Sequence, residues 1–345
     1  MKKFDFVIGN PPYDQFNENN GRKEPLYHNF MDEAFKVSRC AVLIHPARFL
    51  FDAGQTPKKW NEKMLNDTHF RVLLYKSDSN EVFPTLKTPI KGGVAVTIRD
   101  ESKKYGAMKS FVTNDILRNI FQKVMQNEKI FLSGIISPRG LYRVTDDFFK
   151  DYPDAKLKLG SGTGNMIASN FFEKLPEVYL DEIDDNIRCD FLKFLCRIDN
   201  KRKLVFINKK HIKDNDFISK FKIAIPKSNG TGVFGEQLSS PEILEPFEGS
   251  TDTFINIGKL KSMDEAINLV KYVKTKFLRT MLGIKKVTQD NSRRAWDFVP
   301  IQDFTENSDI DWSQSIPEID QQLYKKYNLS KDEIDFIEEK VQEMK

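Results

Sequence analysis

Phe4-Asp-Phe-Val-Ile-Gly-Asn-Pro-Pro-Tyr13 is the stretch on which the reading of this chain turns. Phe4–Ile8 is short, apolar and rich in aromatic and β-branched residues, a pattern that predicts a buried strand. Gly9 and Asn10-Pro11-Pro12 then stop it, and Asn-Pro-Pro alone is an ordinary loop former. Its functional reading rests on chemistry. An amino group conjugated to an aromatic ring is a poor nucleophile, because its lone pair is delocalised. A site that alkylates it must hold both amino protons with acceptors, so that the lone pair turns out of the ring system. Asn10 offers a side-chain carbonyl and Pro11 a backbone carbonyl. The two prolines, Pro11 and Pro12, stiffen the loop that presents them. Tyr13 adds an aromatic face on which a base swung out of a duplex can stack.

Outward from this segment, strand-like and helix-like patterns alternate, the mark of an α/β unit. A helix is predicted through Phe30, Ala34 and Phe35, then a strand Cys40–His45. Thr56-Pro57 has the form of a helix start leading to Leu65, and strands follow at Arg71–Tyr75 and Gly93–Ile98. This unit spans about residues 1–110. Asn114 is placed to cap a bridging helix within 111–129, with the apolar stripe Ile116, Leu117, Ile120, Phe121, Val124 and Met125. Residues 130–304 change to short strands among turn-rich loops, a mixed α+β pattern containing one long helix. Ser262 and Glu265 cap that helix, and its apolar face runs from Ala266 to Met281 before Gly283. Residues 305–345 read as a small helical tail, its second helix opened by Ser330 and Glu333.

Composition narrows the class. The chain has 345 residues, 54 of them Lys or Arg against 50 Asp or Glu, for a net charge of +4. That balance permits a polyanionic partner without demanding one. No apolar run is long enough to cross a bilayer and no signal core follows the start, so a cytoplasmic protein with no membrane partner is expected. Cys40, Cys189 and Cys196 have neither zinc spacing nor the number for a disulfide framework, and read as buried thiols. Four scattered histidines suggest no metal site. Lys271, Lys274, Lys276, Arg279, Lys285, Lys286, Arg293 and Arg294 concentrate charge on the long helix and the loop after it. A solvated helix face is the plain reading. With Gln289, Asn291 and Ser292 interleaved, Lys285, Lys286, Gln289, Arg293 and Arg294 become candidates for phosphate and base-edge contact with DNA.

The Asn10–Tyr13 tetrapeptide after a strand resembles the signature of the amino-methyltransferases, and most nearly that of adenine-specific DNA methyltransferases of the restriction-modification type, in the branch fused to endonucleases. Ile44–Leu50, Val82-Phe-Pro84, Lys91–Val94 and Arg279–Pro300 are similar to further segments of that family. The resemblance implies a partial doubly wound methyltransferase sheet followed by a target-recognition domain. It implies that Asn10 and Pro11 hold the adenine amino group, that Tyr13 stacks on the flipped base, and that the methyl comes from S-adenosylmethionine. The chain departs from the family twice. No aromatic lies on the strand Gly93–Arg99 where a second stacking residue is usual; Phe83 and Tyr105 are the nearest candidates. The glycine-rich cofactor loop would lie before Met1, and neither Gly160–Gly164 nor Gly230–Gly232 has the strand-to-helix setting to replace it. The expectation is therefore an N-terminally truncated enzyme that binds the cofactor weakly and needs a complementing polypeptide. Two other readings stay open: methylation of RNA or of a protein glutamine, and a non-catalytic DNA-recognition subunit.

Overall fold

The computed structural model describes residues 3–344 apart from 19, 20, 52–54, 86, 87, 91, 161, 163, 287 and 288. They form two compact units that divide after Thr113.

In the first unit, β1 (Phe4–Gly9) leads through a hairpin of β2 (Asp14–Asn17) and β3 (Arg22–Pro25) into α1 (Tyr27–Val37) and β4 (Ser38–Pro46). Helix α2 (Lys58–Asn66) connects to β5 (Phe70–Lys76), and β6 (Val94–Asp100) returns. The sheet order is β1-β4-β6-β5. β1 runs parallel to β4, while β6 lies antiparallel to both β4 and β5. Three strands thus point one way, with the reversed β6 slotted between two of them. Period-2 alternation decides what each face touches. Val7, Ala41 and Leu43 pack with Met31 and Ala34 of α1 and with Trp60 and Met64 of α2.

The opposite face departs from expectation. Phe4, Phe6 and Ile8 are 57%, 71% and 83% exposed, so β1 is a bare edge strand, not a buried one. Helices of the described residues cover one face of this mixed sheet, where a doubly wound sheet carries them on both. The start of α2 also differs: its N-cap is Pro57, and the Thr56 hydroxyl donates to the Asn61 side chain at 2.7 Å instead of capping the helix.

The second unit opens with α3 (Asp115–Asn127), where the Asn114 side chain accepts from Leu117 N at 2.9 Å. Short helices α4 (Asp146–Asp151), α5 (Ala155–Leu159) and α6 (Phe171–Lys174) precede the hairpin β7 (Phe191–Ile198) and β8 (Lys201–Asn208). Asp199 and Asn200 both take positive φ in its two-residue turn, a conformation that Asp and Asn tolerate best after glycine. Then come β9 (Phe221–Pro226), β10 (Glu242–Leu244), β11 (Glu248–Ser250) and β12 (Phe254–Leu260). They form two three-stranded sheets, β11-β7-β8 and β10-β9-β12. Phe148, Phe171, Phe172, Phe194, Val205 and Ile207 fill one core beneath the first sheet.

The expected single long helix is two: α7 (Met263–Lys274) and α8 (Lys276–Gly283). Ser262 caps α7 as expected, accepting from Glu265 N at 3.2 Å. Thr275, with ψ of 148°, ends α7 and caps α8. Buried Asp320 of α9 (Ile316–Lys326) accepts from Lys276 N and Phe277 N at 2.9 and 2.8 Å, satisfying amides that a continuous helix would have bonded internally. α10 (Lys331–Lys340) packs on α3 and α8. Cys40 and Cys196 are buried, but Cys189 is exposed, against the reading of three buried thiols, because the 3-10 turn at Asp185–Asp190 lies at the surface.

Candidate functional site

The parallel register of β1 and β4 sets Gly9 beside Leu43, so residues 10–13 and 47–49 leave the sheet at the same edge. The carboxyl edge of parallel strands is where open α/β sheets bind ligands. Asn10 is exposed, and among the described residues neither its side chain nor the Pro11 carbonyl has a hydrogen-bond partner. Pro12 is exposed at the tip. The Tyr13 carbonyl accepts from Leu26 N at 2.8 Å, which pins the loop to the start of α1. The Tyr13 ring packs on the rim of the helix-side core, and its hydroxyl is buried without a partner. Burial disfavours the phenolate and pushes its pKa up to about 12.

Of the two candidate second aromatics, one lies beside Tyr13. Phe83 stands edge-on to Tyr13, with centroids 6.5 Å apart and planes at 62°. Tyr105 is set aside: it hydrogen-bonds through its amide to Thr68 and lies under Arg71, at the amino end of β5 and so at the opposite edge of the sheet.

Behind the loop, Tyr27 stacks on His45 at 5.8 Å with planes 7° apart. His45 is fully buried, its Nε2 within 2.7 Å of the Thr97 hydroxyl, and desolvation lowers its pKa to about 4. It is therefore a neutral packing group at ordinary pH. Arg48 is exposed just beyond β4, against Gly92, where an added Cβ would meet the Arg48 side chain at 2.5 Å. Gly92 takes a φ of +83°, so the close approach and the left-handed backbone both require glycine. Residue chemistry alone marks none of Tyr27, His45 and Arg48; the last two lie within the family-like segment Ile44–Leu50. An Arg four residues past an apolar strand core carries no signal of its own.

The basic segment of the second unit separates into two sets. Lys286 is a correction: 5% exposed, it is buried in an ion pair with Glu236 at 2.5 Å and donates to Asn229 O at 2.9 Å, so it is not a surface contact. Glu236 in turn accepts from Thr231 N and Gly232 N, which folds the 228–235 loop around its carboxylate. Arg279 is buried within α8. Asn291 is fully buried and accepts from the Trp296 indole at 2.9 Å, so it reads no base. Lys285 pairs with Asp297 at 2.8 Å over the Phe298 ring.

Gln289, Arg293 and Arg294 are exposed. Backbone bonds zip their segment onto the end of β9: Asn229 N donates to Gln289 O at 2.9 Å and Asn291 N to Lys227 O at 2.7 Å. Arg293 Nε donates to Ser133 O at 2.6 Å. Asp252 gathers Lys227 and, at 3.7 Å, Arg139, which is 81% exposed. The fold thus assembles Arg139, Lys227, Gln289 and Arg293 from segments more than 150 residues apart (139 to 293). Arg139 and Lys227 lie outside any basic run, so no local pattern points to them.

Neither glycine-rich loop of the second unit has the setting of a cradle for S-adenosylmethionine. Residues 160–164 follow the one-and-a-half-turn α5, and 230–235 lie between β9 and β10, so neither loop joins a strand to a helix.

Residues 1–83 match the model of the Eco57I restriction-modification methylase family. A Mycoplasma pneumoniae protein described as an uncharacterized adenine-specific methylase is 28% identical over 143 residues, covering 37% of this chain and 33% of its own length. The chain therefore spans about a third of that curated relative. Among solved structures, the type IIG restriction endonuclease BpuSI aligns over 93% of this chain and 50% of its own, at 9% identity and a TM-score of 0.32. The type IIL restriction-modification enzyme MmeI, solved in complex with DNA, aligns over 97% and 56%, at 8% identity and 0.33. Scores this low assign no common fold. The chain is similar, through its first unit, to methylases of restriction-modification systems.

Proposed function

We propose that this chain forms the target-base pocket and DNA-recognition part of an adenine-specific DNA methyltransferase of a restriction-modification system. The observation that carries the reading is the Asn10–Tyr13 loop at the carboxyl edge of parallel strands, pinned at Tyr13 to the start of α1, with the Asn10 side chain and the Pro11 carbonyl lacking hydrogen-bond partners among the described residues. Asn10 Oδ1 and the Pro11 carbonyl accept the two amino hydrogens of a flipped adenine, so that the lone pair points out of the ring plane. Tyr13 stacks on one face of the base. Phe83, with its plane at 62° to the Tyr13 ring, borders the base at its edge and does not stack on the opposite face. S-adenosylmethionine is the methyl donor this chemistry calls for. Neither glycine-rich loop has the setting of its cradle, so a glycine-rich loop outside the described residues supplies it. Arg139, Lys227, Gln289, Arg293 and Arg294 contact duplex DNA, with Arg48 near the pocket mouth. Trp296, Asn291 and Lys286 hold that surface in shape. Such an enzyme works in the cytoplasm.

The test is transfer of tritiated methyl onto duplex DNA, RNA and a glutamine-bearing protein, with and without a fragment carrying the glycine-rich loop. Incorporation into DNA adenine is expected, and Asn10→Ala should reduce it at least about a hundredfold, as loss of a positioned polar group does. Transfer to RNA or protein alone, or full activity of the Asn10→Ala chain, would overturn the reading. DNA binding with no transfer under any complementation would leave a recognition subunit.

A further inference from the structure

The second unit contains a cavity of about 610 Å³ bounded by α7, the start of α8, α9, the chain end and β10. That volume is in the range that holds a drug-sized molecule. Ile243, Ile267, Val270, Ile316 and Met344 give it apolar walls, and Arg279, Lys274 and Asp320 also line it.

The polar lining is unbalanced in a definite way. Lys271 is taken up by the Trp312 and Gln314 carbonyls, and Lys276 by Glu338 at 2.6 Å. Asp320 accepts the two amides at the head of α8. Two cationic groups are left. Lys274 is half-buried, and its ammonium has no partner among the described residues. Arg279 is 2% exposed; its Nε and Nη2 donate to Thr275 O and Lys274 O at 3.3 and 3.2 Å, but Nη1 is buried with no acceptor. A buried guanidinium N–H without a partner costs free energy, and water or an anion normally meets it. Glu343 is exposed at the rim, and the lining carries four cations against three carboxylates.

We propose that this cavity is a binding site for a small amphipathic organic anion, whose apolar body lies on Val270, Ile267 and Met344 and whose carboxylate accepts from Lys274 Nζ, in the positive field of the Arg279 guanidinium buried in the same wall. The site is independent of the base pocket and of the DNA surface. Nothing in the methyl-transfer reading uses it.

Calorimetric titration of the whole chain with decanoate, and with decylamine as the cationic counterpart, tests the assignment. Decanoate should bind saturably at one site and decylamine should not. Lys274→Glu should weaken decanoate at least about tenfold, the loss expected when a paired charge is reversed. Val270→Trp or, should that variant not fold, Ile267→Trp should abolish binding by filling the space. Thermal unfolding of each variant separates loss of the site from loss of the fold. The proposal fails if decanoate does not saturate, if acid and amine bind alike, or if folded variants bind decanoate as the parent does. The last outcome would place any binding on the exposed apolar face of the first unit.

Discussion

Buried His45 contributes to the acid response of the first unit, in the same direction as His28, whose pKa desolvation also lowers. His45 titrates near 4 when folded, because its site cannot solvate the cation, and near 6.5 when unfolded. A histidine whose folded pKa is depressed contributes stability above the unfolded value and loses it as pH falls through the folded one. The parent should therefore lose up to about 3 kcal/mol between pH 6.5 and 4, at about 1.4 kcal/mol for each tenfold difference in proton affinity. His45→Gln keeps an acceptor for Thr97 and has no proton to gain, so its urea midpoint should be flatter across that window. Equal slopes would show that His45 is not the titrating group. At this scale the sequence was most legible where chemistry is local. Asn10, Pro11 and Tyr13 could be proposed from residue type and order alone, and the structure sets them in one loop at the sheet edge. Lys286 could not, because its burial depends on Glu236, fifty residues earlier, and a lysine in a basic run looks the same whether it meets solvent or a carboxylate.

Helix caps show the same division among elements. Asn114, Ser262 and Ser330 were readable because each bonds an amide three residues on. The break between α7 and α8 was not: an apolar stripe of period 3.6 runs through Thr275, and the interruption is sustained by Asp320 from another helix. Burial raises the pKa of that carboxyl to about 6, so its ionisation is resisted by the fold. Here the sign is opposite to that of His45. A carboxyl raised in the folded state favours folding at low pH, and the advantage is lost as pH rises from about 4 through 6. Relative to Asp320→Asn, the parent should lose up to about 3 kcal/mol over that interval, because the folded carboxyl holds its proton roughly a hundredfold more tightly than the unfolded one. Chemical denaturation followed at the second unit's tryptophans, Trp296 and Trp312, reads this directly. An unchanged difference between the two proteins from pH 4 to 6.5 would mean that Asp320 ionises freely.

For the molecule as a whole, the chain divides after Thr113, and the proposed reading assigns the base pocket to the first unit and the duplex contacts to the second. Binding of duplex DNA by the full chain should weaken steeply with salt, since each phosphate that is neutralised releases condensed counterions. Arg293→Ala with Arg294→Ala should reduce the slope of log affinity against log salt by about 2, near 0.9 for each phosphate no longer neutralised. Adding Arg139→Ala should lower it by about one more. Lys286→Ala should instead act through stability, as removal of a buried ion-pair partner does. An unchanged slope in the double variant would remove Arg293 and Arg294 from the interface. The alternation of strands and helices made the α/β character of the first unit visible in advance, but not the direction of β6 or the exposure of β1. Those are set by which strands become neighbours, and an apolar strand has the same pattern at an edge as in the middle.

That edge has a consequence in time. In β1, the amides that face β4 lie within a ladder, whereas those on the outer side have no strand partner among the described residues. Hydrogen exchange along Phe4–Gly9 should therefore alternate, with slow positions between neighbours that exchange at the rate of an unstructured peptide. Any chain that adds a strand at this edge would slow the fast positions and leave the slow ones unchanged. The same six residues would report a partner without a label, and the loss of alternation would date its arrival.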